Sequence, residues 1–134
     1  MSHKIFVNLP VKDLEKSKAF FTKMGFTFNQ QFTDDTAACM VITDDIYSML
    51  LTHDKFRQFT DREIAGPKVL EVMTALSADN RDEVNRLVDA AVSVGGREKR
   101  PAQDYGFMFM RSFEDLDGHV WEIFWMDPAH VQQN

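Results

Sequence analysis

Apolar and polar positions follow two similar series along the chain, and each series predicts a strand, a helix and three further strands. In the first series, a strand over residues 4–11 precedes a helix that Asp13 caps and Gly25 ends, with apolar side chains at helical spacing between them. Three short strands, separated by Thr-Asp-Asp turns, are then predicted over residues 26–33, 37–43 and 46–52. The order of the first half is therefore βαβββ.

The second series repeats this order. A strand is predicted over residues 69–77, and a helix runs from about Asn80 to Val94 before the pair Gly95-Gly96. Further strands are predicted near residues 96–100, 106–113 and 119–125. Residues 7–13 align with residues 74–80 at the same strand-to-helix junction, which indicates a duplicated unit. The predicted fold class is α+β, with two tandem βαβββ modules.

These patterns divide a single domain of 134 residues into segments. The predicted segments are module one at 1–53, a linker at 54–68, module two at 69–126 and a C-terminal tail at 127–134. The linker is long for a connection within a compact domain and carries Phe56 and Phe59 among charged residues. Two interpretations stay open: a segment that closes over a ligand, and a short surface helix that tucks both phenylalanines onto the domain.

Composition narrows the choice of partners. A formal net charge of -6 argues against a nucleic-acid partner, because phosphate backbones are bound by basic surfaces. The lone cysteine, Cys39, cannot form an internal disulfide, and the first residues show no signal-peptide or membrane-spanning apolar run. We expect a cytoplasmic protein that binds a small molecule and does not associate with membranes.

Glu122 is the most informative single residue, since it lies within an otherwise apolar predicted strand. A buried carboxylate without a partner costs several kcal/mol, so it must be paired, protonated, metal-bound or open to a cavity. One hypothesis pairs Glu122 with Arg111 of the preceding strand. The other makes Glu122 a ligand-binding or general-base group. The preceding Asp115-Leu116-Asp117-Gly118 is predicted to be a hairpin turn, because calcium-loop spacing would place phenylalanines at two ligand positions.

Two motifs carry a resemblance to a known superfamily. They are Leu-Pro-Val-Lys-Asp-Leu-Glu-Lys-Ser at residues 9–17, followed by Phe20-Phe21 and Met24-Gly25-Phe26, and Phe-Glu-Asp-Leu-Asp-Gly-His-Val-Trp-Glu at residues 113–122. With them the chain resembles the vicinal oxygen chelate superfamily of glyoxalase I, bleomycin-resistance proteins, fosfomycin-modifying enzymes and extradiol dioxygenases, and above all its lactoylglutathione lyase-like bacterial members. The resemblance implies cupped mixed sheets built from paired modules, and a homodimer that would cover apolar edges such as Trp121 and Trp125.

The resemblance also implies where a catalytic metal would bind. The glyoxalase-type ligand positions fall on Phe6, about Leu50, Met73 and Glu122, of which Glu122 alone can ligate a hard divalent ion. The standard glyoxalase metal site is therefore expected to be absent, and no cofactor is predicted beyond a possible divalent metal at Glu122. A shifted metal site would use Glu122 with His53 or Glu71, and His53 is also a candidate general base.

A ligand pocket is expected in the cup, with core packing the favoured role for Phe6 and Met73. Its predicted lining residues are Phe6, Asn8, Leu50, Glu71, Met73, Glu122 and Phe124. Three functions remain open. The first is a bleomycin-resistance-like protein that binds a small organic molecule without the standard metal. The second is a metal-dependent lyase, isomerase or dioxygenase with a shifted metal site, and the third is a structural role without a pocket.

Overall fold

The computed structural model of the protein describes residues 3–130, and the chain divides between Val69 and Leu70 into two compact units. Each unit contains one four-stranded mixed sheet built in the order βαβββ. The predicted α+β class and the tandem βαβββ modules are confirmed.

Unit one has a sheet with the spatial order β1-β4-β3-β2, in which β1 and β4 are parallel and the other pairs are antiparallel. Its elements are β1 (Ile5–Val11), α1 (Leu14–Lys23), β2 (Thr27–Asn29), β3 (Ala37–Val41), β4 (Ile46–Thr52) and α2 (His53–Phe56), with a 3-10 turn at Gln30–Phe32. As predicted, the Asp13 side chain caps α1 by accepting a hydrogen bond from the Lys16 amide, and Gly25 follows the helix with a φ of 105°.

Unit two repeats the arrangement with the order β5-β8-β7-β6, in which β5 and β8 are parallel. Its elements are β5 (Met73–Ser77), α3 (Arg81–Ser93), β6 (Gln103–Asp104), β7 (Met108–Glu114) and β8 (Val120–Met126), with a 3-10 turn at Pro128–His130. The predicted C-terminal tail extends to residue 134, and its last four residues lie outside the described part of the chain. Among residues 3–130, no helix is both long enough and apolar enough to cross a membrane.

Each sheet packs one face against its helix. In unit one, α1 contributes the buried Leu14, Phe20 and Phe21, and in unit two α3 contributes Val84, Leu87, Val88 and Ala91. The facing side of the unit-two sheet holds Phe113 and Trp121, both at most 2% exposed. Because burying a large apolar side chain contributes about 1.5–3 kcal/mol, these two helix-facing layers stabilise the units.

Three predicted strands differ from the structure. The strand predicted at residues 26–33 ends at Asn29, whose side chain accepts a hydrogen bond from the Gln31 amide and so favours a turn. The strand predicted at residues 96–100 is wrong, since Arg97 forms an isolated bridge with Glu114 there. The strand predicted at residues 69–77 begins only at Met73.

The short helix α2 begins at His53, the last residue of predicted module one, and continues into the linker, as one of the two interpretations expected. Phe56 is half-buried, but Phe59 is 71% exposed, so the expectation that both phenylalanines tuck onto the domain is wrong for Phe59. The neighbours of Phe59 in the sequence are mostly polar or charged and do not cover its ring. The Lys55 ammonium lies 5.7 Å from the ring centroid of Phe59.

An ion pair joins the start of α3 to β6. The Arg81 guanidinium donates two hydrogen bonds, of 2.7 and 2.9 Å, to the Asp104 carboxylate and also lies 5.2 Å from the ring centroids of Phe109 and Trp125. These hydrogen bonds, with one from the Gly106 amide, lower the pKa of Asp104 to about 2. The Arg81 side chain therefore links charged and aromatic groups of unit two.

The Asp104 pKa predicts an acid dependence of stability. Because the folded-state pKa lies below the unfolded value of 3.8, the ion pair stabilises the fold fully above about pH 4 and is lost as the pH falls toward 2. Asp104→Asn should therefore show a smaller loss of unfolding midpoint between pH 4 and 2 than the wild type, measured by urea titration. Asp35→Asn, in a turn of unit one, serves as the control, and parallel acid profiles for wild type and Asp104→Asn would contradict the prediction.

Candidate ligand site

Glu122 lies in the middle of β8 with two short side chains beside it. It pairs with Ala75 of β5 on one side and with Ser112 of β7 on the other. Paired residues of neighbouring strands point to the same face of a sheet, with Cβ atoms about 5 Å apart. A methyl group and a hydroxymethyl group therefore flank the longer carboxylate side chain, which leaves space above them.

We use the name open face for the side of the unit-two sheet that carries Glu122, opposite the face that packs on α3. The strand register places there Met73, Ala75, Ser77, Met108, Met110, Ser112, Glu114, Val120, Glu122, Phe124 and Met126. Met73 is 57% exposed, and Glu122 and Phe124 are partly exposed. The expectation that Met73 packs in a core is wrong, because it lies on an edge strand and points away from α3. In unit one, Phe6 of β1 is 48% exposed, so the expectation that Phe6 packs in a core is also wrong.

The Glu122 carboxylate forms no hydrogen bond or ion pair within residues 3–130. The hypothesis that it pairs with Arg111 is wrong, because Arg111 pairs with Ile123 and therefore points to the other face of the sheet. There the Arg111 guanidinium donates to Glu98 at 2.7 and 2.9 Å and lies 2.9 Å from Asp89. These carboxylates raise the pKa of Arg111, so the cation is already neutralised.

The predicted pocket residues of unit one do not share a face. Phe6 and Asn8 lie together on one side of β1, where Asn8 pairs with Met49. Leu50 pairs with Leu9 on the other side and is fully buried, so its assignment to the pocket lining is wrong. Met49, one residue earlier, occupies the face of Phe6 and Asn8. Neither methionine nor phenylalanine is a ligand for a hard divalent ion.

The remaining candidates lie outside the strands that form the open face. His53 is half-buried and begins α2 in unit one, and Glu71 is exposed two residues before β5 begins. The second carboxylate near Glu122, that of Glu114, lies 3.3 Å from the Lys99 ammonium. No group of three His, Cys, Asp or Glu side chains within residues 3–130 could hold a metal ion. The described residues thus do not fit the three-ligand site of a catalytic metal.

Asp115 is a structural residue that the sequence reasoning did not single out. Its carboxylate accepts hydrogen bonds from the backbone amides of Asp117 and His119 and from the Trp121 indole at 3.0 Å. Burial, with 5% of the residue exposed, raises the pKa of Asp115. The predicted hairpin turn is confirmed, with Gly118 at a φ of 84°. An Asp-x-Asp-Gly turn followed by a tryptophan was the available signal.

Trp121 does not form an apolar edge. It is 1% exposed, lies parallel to Phe113 with ring centroids 6.4 Å apart, and belongs to the face that packs on α3. Trp125 is partly buried on the same face, beside Arg81. The expectation that these two tryptophans need a partner subunit to cover them is therefore wrong, because the helix layer covers that side of the sheet.

Comparisons with known proteins show which folds this chain is similar to. Residues 4–43 match the model of the bleomycin resistance protein-like N-terminal family. A glyoxalase-related enzyme from Fulvimarina pelagi is 20% identical, with a TM-score of 0.78, and the alignment covers 93% of this chain and 88% of that one. A fosfomycin resistance protein from Listeria monocytogenes is 18% identical, with a TM-score of 0.69 and coverage of 100% and 96%. The chain therefore has the fold of these two proteins, and its first strands and helix match the bleomycin resistance protein-like family model.

Another structure of similar fold is a hypothetical protein from S. aureus. It is 27% identical, has a TM-score of 0.77, and the alignment covers 92% of this chain and 94% of that one. No curated protein matches the chain. These comparisons therefore describe the fold, and the activity has to be argued from the residues of the open face.

Proposed function

We propose that the protein binds a small organic molecule on the open face around Glu122, without a resident metal of the glyoxalase type. One observation carries the proposal: a carboxylate without an internal partner stands between Ala75 and Ser112 on a partly exposed apolar face. Small-molecule sites combine an apolar wall with a few polar groups that fix orientation. A binding or resistance role, as in the bleomycin-resistance proteins, requires no further catalytic group.

The metal-dependent alternative has less support. A lyase, isomerase or dioxygenase of the vicinal oxygen chelate superfamily would need further metal ligands beside Glu122. The candidates His53 and Glu71 lie outside β5, β7 and β8, the strands that form the open face. The two structures of similar fold are named for different activities, one as a glyoxalase-related enzyme and the other as a fosfomycin resistance protein. They therefore support small-molecule chemistry as a class and no single substrate.

Filling the gap beside Glu122 tests the proposal. A panel of small cationic, neutral and anionic organic molecules is titrated into the protein, and binding is followed by calorimetry. We expect at least one member to bind the wild type and Ser112→Leu to weaken that binding at least about tenfold, since an added isobutyl group occupies the space beside the carboxylate. Thr27→Leu, on the exposed start of β2 in unit one, is the control. Failure of the whole panel to bind the wild type would overturn the proposal.

We further propose that the protein is a cytoplasmic homodimer. β1 and β5 are edge strands, and apolar side chains at or just before them are exposed: Ile5 at 55%, Leu70 at 52% and Val72 at 57%. Exposed apolar edges favour association with a second chain. Sedimentation equilibrium at micromolar concentration should give the mass of two chains, and a monomer throughout that range would refute the dimer. A lone buried cysteine, Cys39, suits a reducing compartment.

A further inference from the structure

We infer that the ligand of the open face is a small organic cation, an ammonium group on an apolar body, with its charge on Glu122. This inference rests on the proposed function and adds the chemical class of the ligand. The ammonium would hydrogen-bond to the Glu122 carboxylate in the space above Ala75 and Ser112, and the apolar body would lie along Phe124 and Met110.

Charge complementarity is the first argument. Within residues 3–130 Glu122 has no cationic partner, whereas three cations of unit two already pair with other carboxylates: Arg81 with Asp104, Arg111 with Glu98 and Lys99 with Glu114. A neutral ligand on this face would offer the carboxylate at most an uncharged hydrogen-bond donor in place of water, and an anionic ligand would add repulsion. Of the three classes, a cation offsets the desolvation of the carboxylate most fully, because it adds an ion pair to the hydrogen bond, and the net charge of -6 attracts it from a distance.

The surroundings of the carboxylate are the second argument. Phe124 lies two residues along β8 on the same face as Glu122, a separation of about 7 Å. An aromatic ring at that distance from the carboxylate can contact a cation bound to it, and the thioether of Met110, which pairs with Phe124, is a soft apolar surface. The Ser112 hydroxyl makes no hydrogen bond within residues 3–130 and supplies a second acceptor for an ammonium N–H.

The ligand count separates an organic cation from a metal ion. A divalent metal needs about three protein ligands, which the described residues do not bring together. An alkylammonium needs one carboxylate, one or two further acceptors and apolar cover for its carbon body. Glu122, Ser112 and Phe124 supply that set on one face.

Three probes of similar size and different charge test the inference: 2-phenylethylamine, 2-phenylethanol and phenylacetate, each titrated by calorimetry at low ionic strength. We expect the amine to bind at least about tenfold more tightly than the alcohol, and phenylacetate to bind most weakly. Glu122→Gln should weaken amine binding at least about tenfold and leave alcohol binding within about twofold. Glu63→Gln, an exposed linker carboxylate, should change neither, and urea unfolding confirms that each variant is folded.

The outcomes distinguish this inference from the proposed function. If the alcohol binds as tightly as the amine, or if Glu122→Gln leaves amine binding unchanged, the cationic preference is overturned while the site stands. If the amine does not bind but neutral members of the wider panel do, and Ser112→Leu weakens them, the cationic preference is again overturned alone. If nothing in the panel binds the wild type, both fall.

Discussion

Asp115→Ala is expected to lower the free energy of unfolding by about 3 kcal/mol. The substitution removes one carboxylate that serves three donors, the amides of Asp117 and His119 and the indole N–H of Trp121. Trp121 is 1% exposed, so its indole N–H cannot turn to water without disturbing the packing against α3. An unmet buried donor costs about 1–3 kcal/mol, and the two amides regain only part of their bonding from solvent. Urea unfolding followed by circular dichroism measures the change.

Two further variants of the turn separate this effect from loss of side-chain packing. Asp115→Asn keeps an oxygen acceptor for part of the network and removes the buried charge, so its cost should be about 1 kcal/mol. Leu116→Ala removes a 43% exposed side chain from the same turn and should cost less than about 0.5 kcal/mol. An Asp115→Ala protein within 0.5 kcal/mol of the wild type would show that the carboxylate does not hold the turn.

The Asp115 network also has a functional consequence, because it fixes where β8 begins. The turn from Asp115 to Gly118 sets the pairing of β7 with β8, and that pairing places Glu122 opposite Ser112. A slip of one residue would bring the side chain of Arg111 to the face of Glu122 and allow an ion pair between them. The open carboxylate therefore depends on a turn residue seven positions before it.

Local signals were sufficient to predict the two βαβββ modules. Helical spacing of apolar residues, the caps Asp13 and Asn80 and the glycine at Gly25 each act within a few residues, so they are visible in the sequence. The resemblance to the superfamily, carried by residues 9–17 and 113–122, pointed to the same fold. Both signals agree with the observed order of elements along the chain, βαβββ, which repeats in the two units.

The composition of each face could not be predicted in the same way. It depends on register between strands distant in sequence, such as β1 with β4, and a shift of one residue exchanges the two faces. The sequence patterns therefore placed Leu50 in the pocket and left Arg111 as one of two hypotheses for Glu122, although Leu50 and Arg111 each lie one position from the residue that occupies the predicted face. Glu122 itself was identified because a carboxylate is conspicuous among apolar neighbours whatever the register.

The register of unit one predicts opposite effects for two neighbouring residues of β4. Leu50→Ala should lower the free energy of unfolding by about 3 kcal/mol, because Leu50 is fully buried beside Leu9 and Ala38 and the surrounding side chains cannot close the cavity. Met49→Ala should cost less than about 1 kcal/mol, since Met49 is partly exposed on the opposite face. Both variants shorten a large apolar side chain in the same strand, so each controls for the other in urea unfolding.

The ranking of the two variants decides which face Leu50 occupies. If Met49→Ala proves more destabilising than Leu50→Ala, the pairing of β1 with β4 is shifted by one residue and Leu50 shares the face of Phe6. The expected ranking instead leaves Phe6, Asn8 and Met49 together on the side of β1 and β4 opposite Leu50. The Asn8 amide is a polar group on that side. The strand residues of β1 and β4 include no carboxylate or imidazole, so they cannot supply the ligands that a hard metal ion requires.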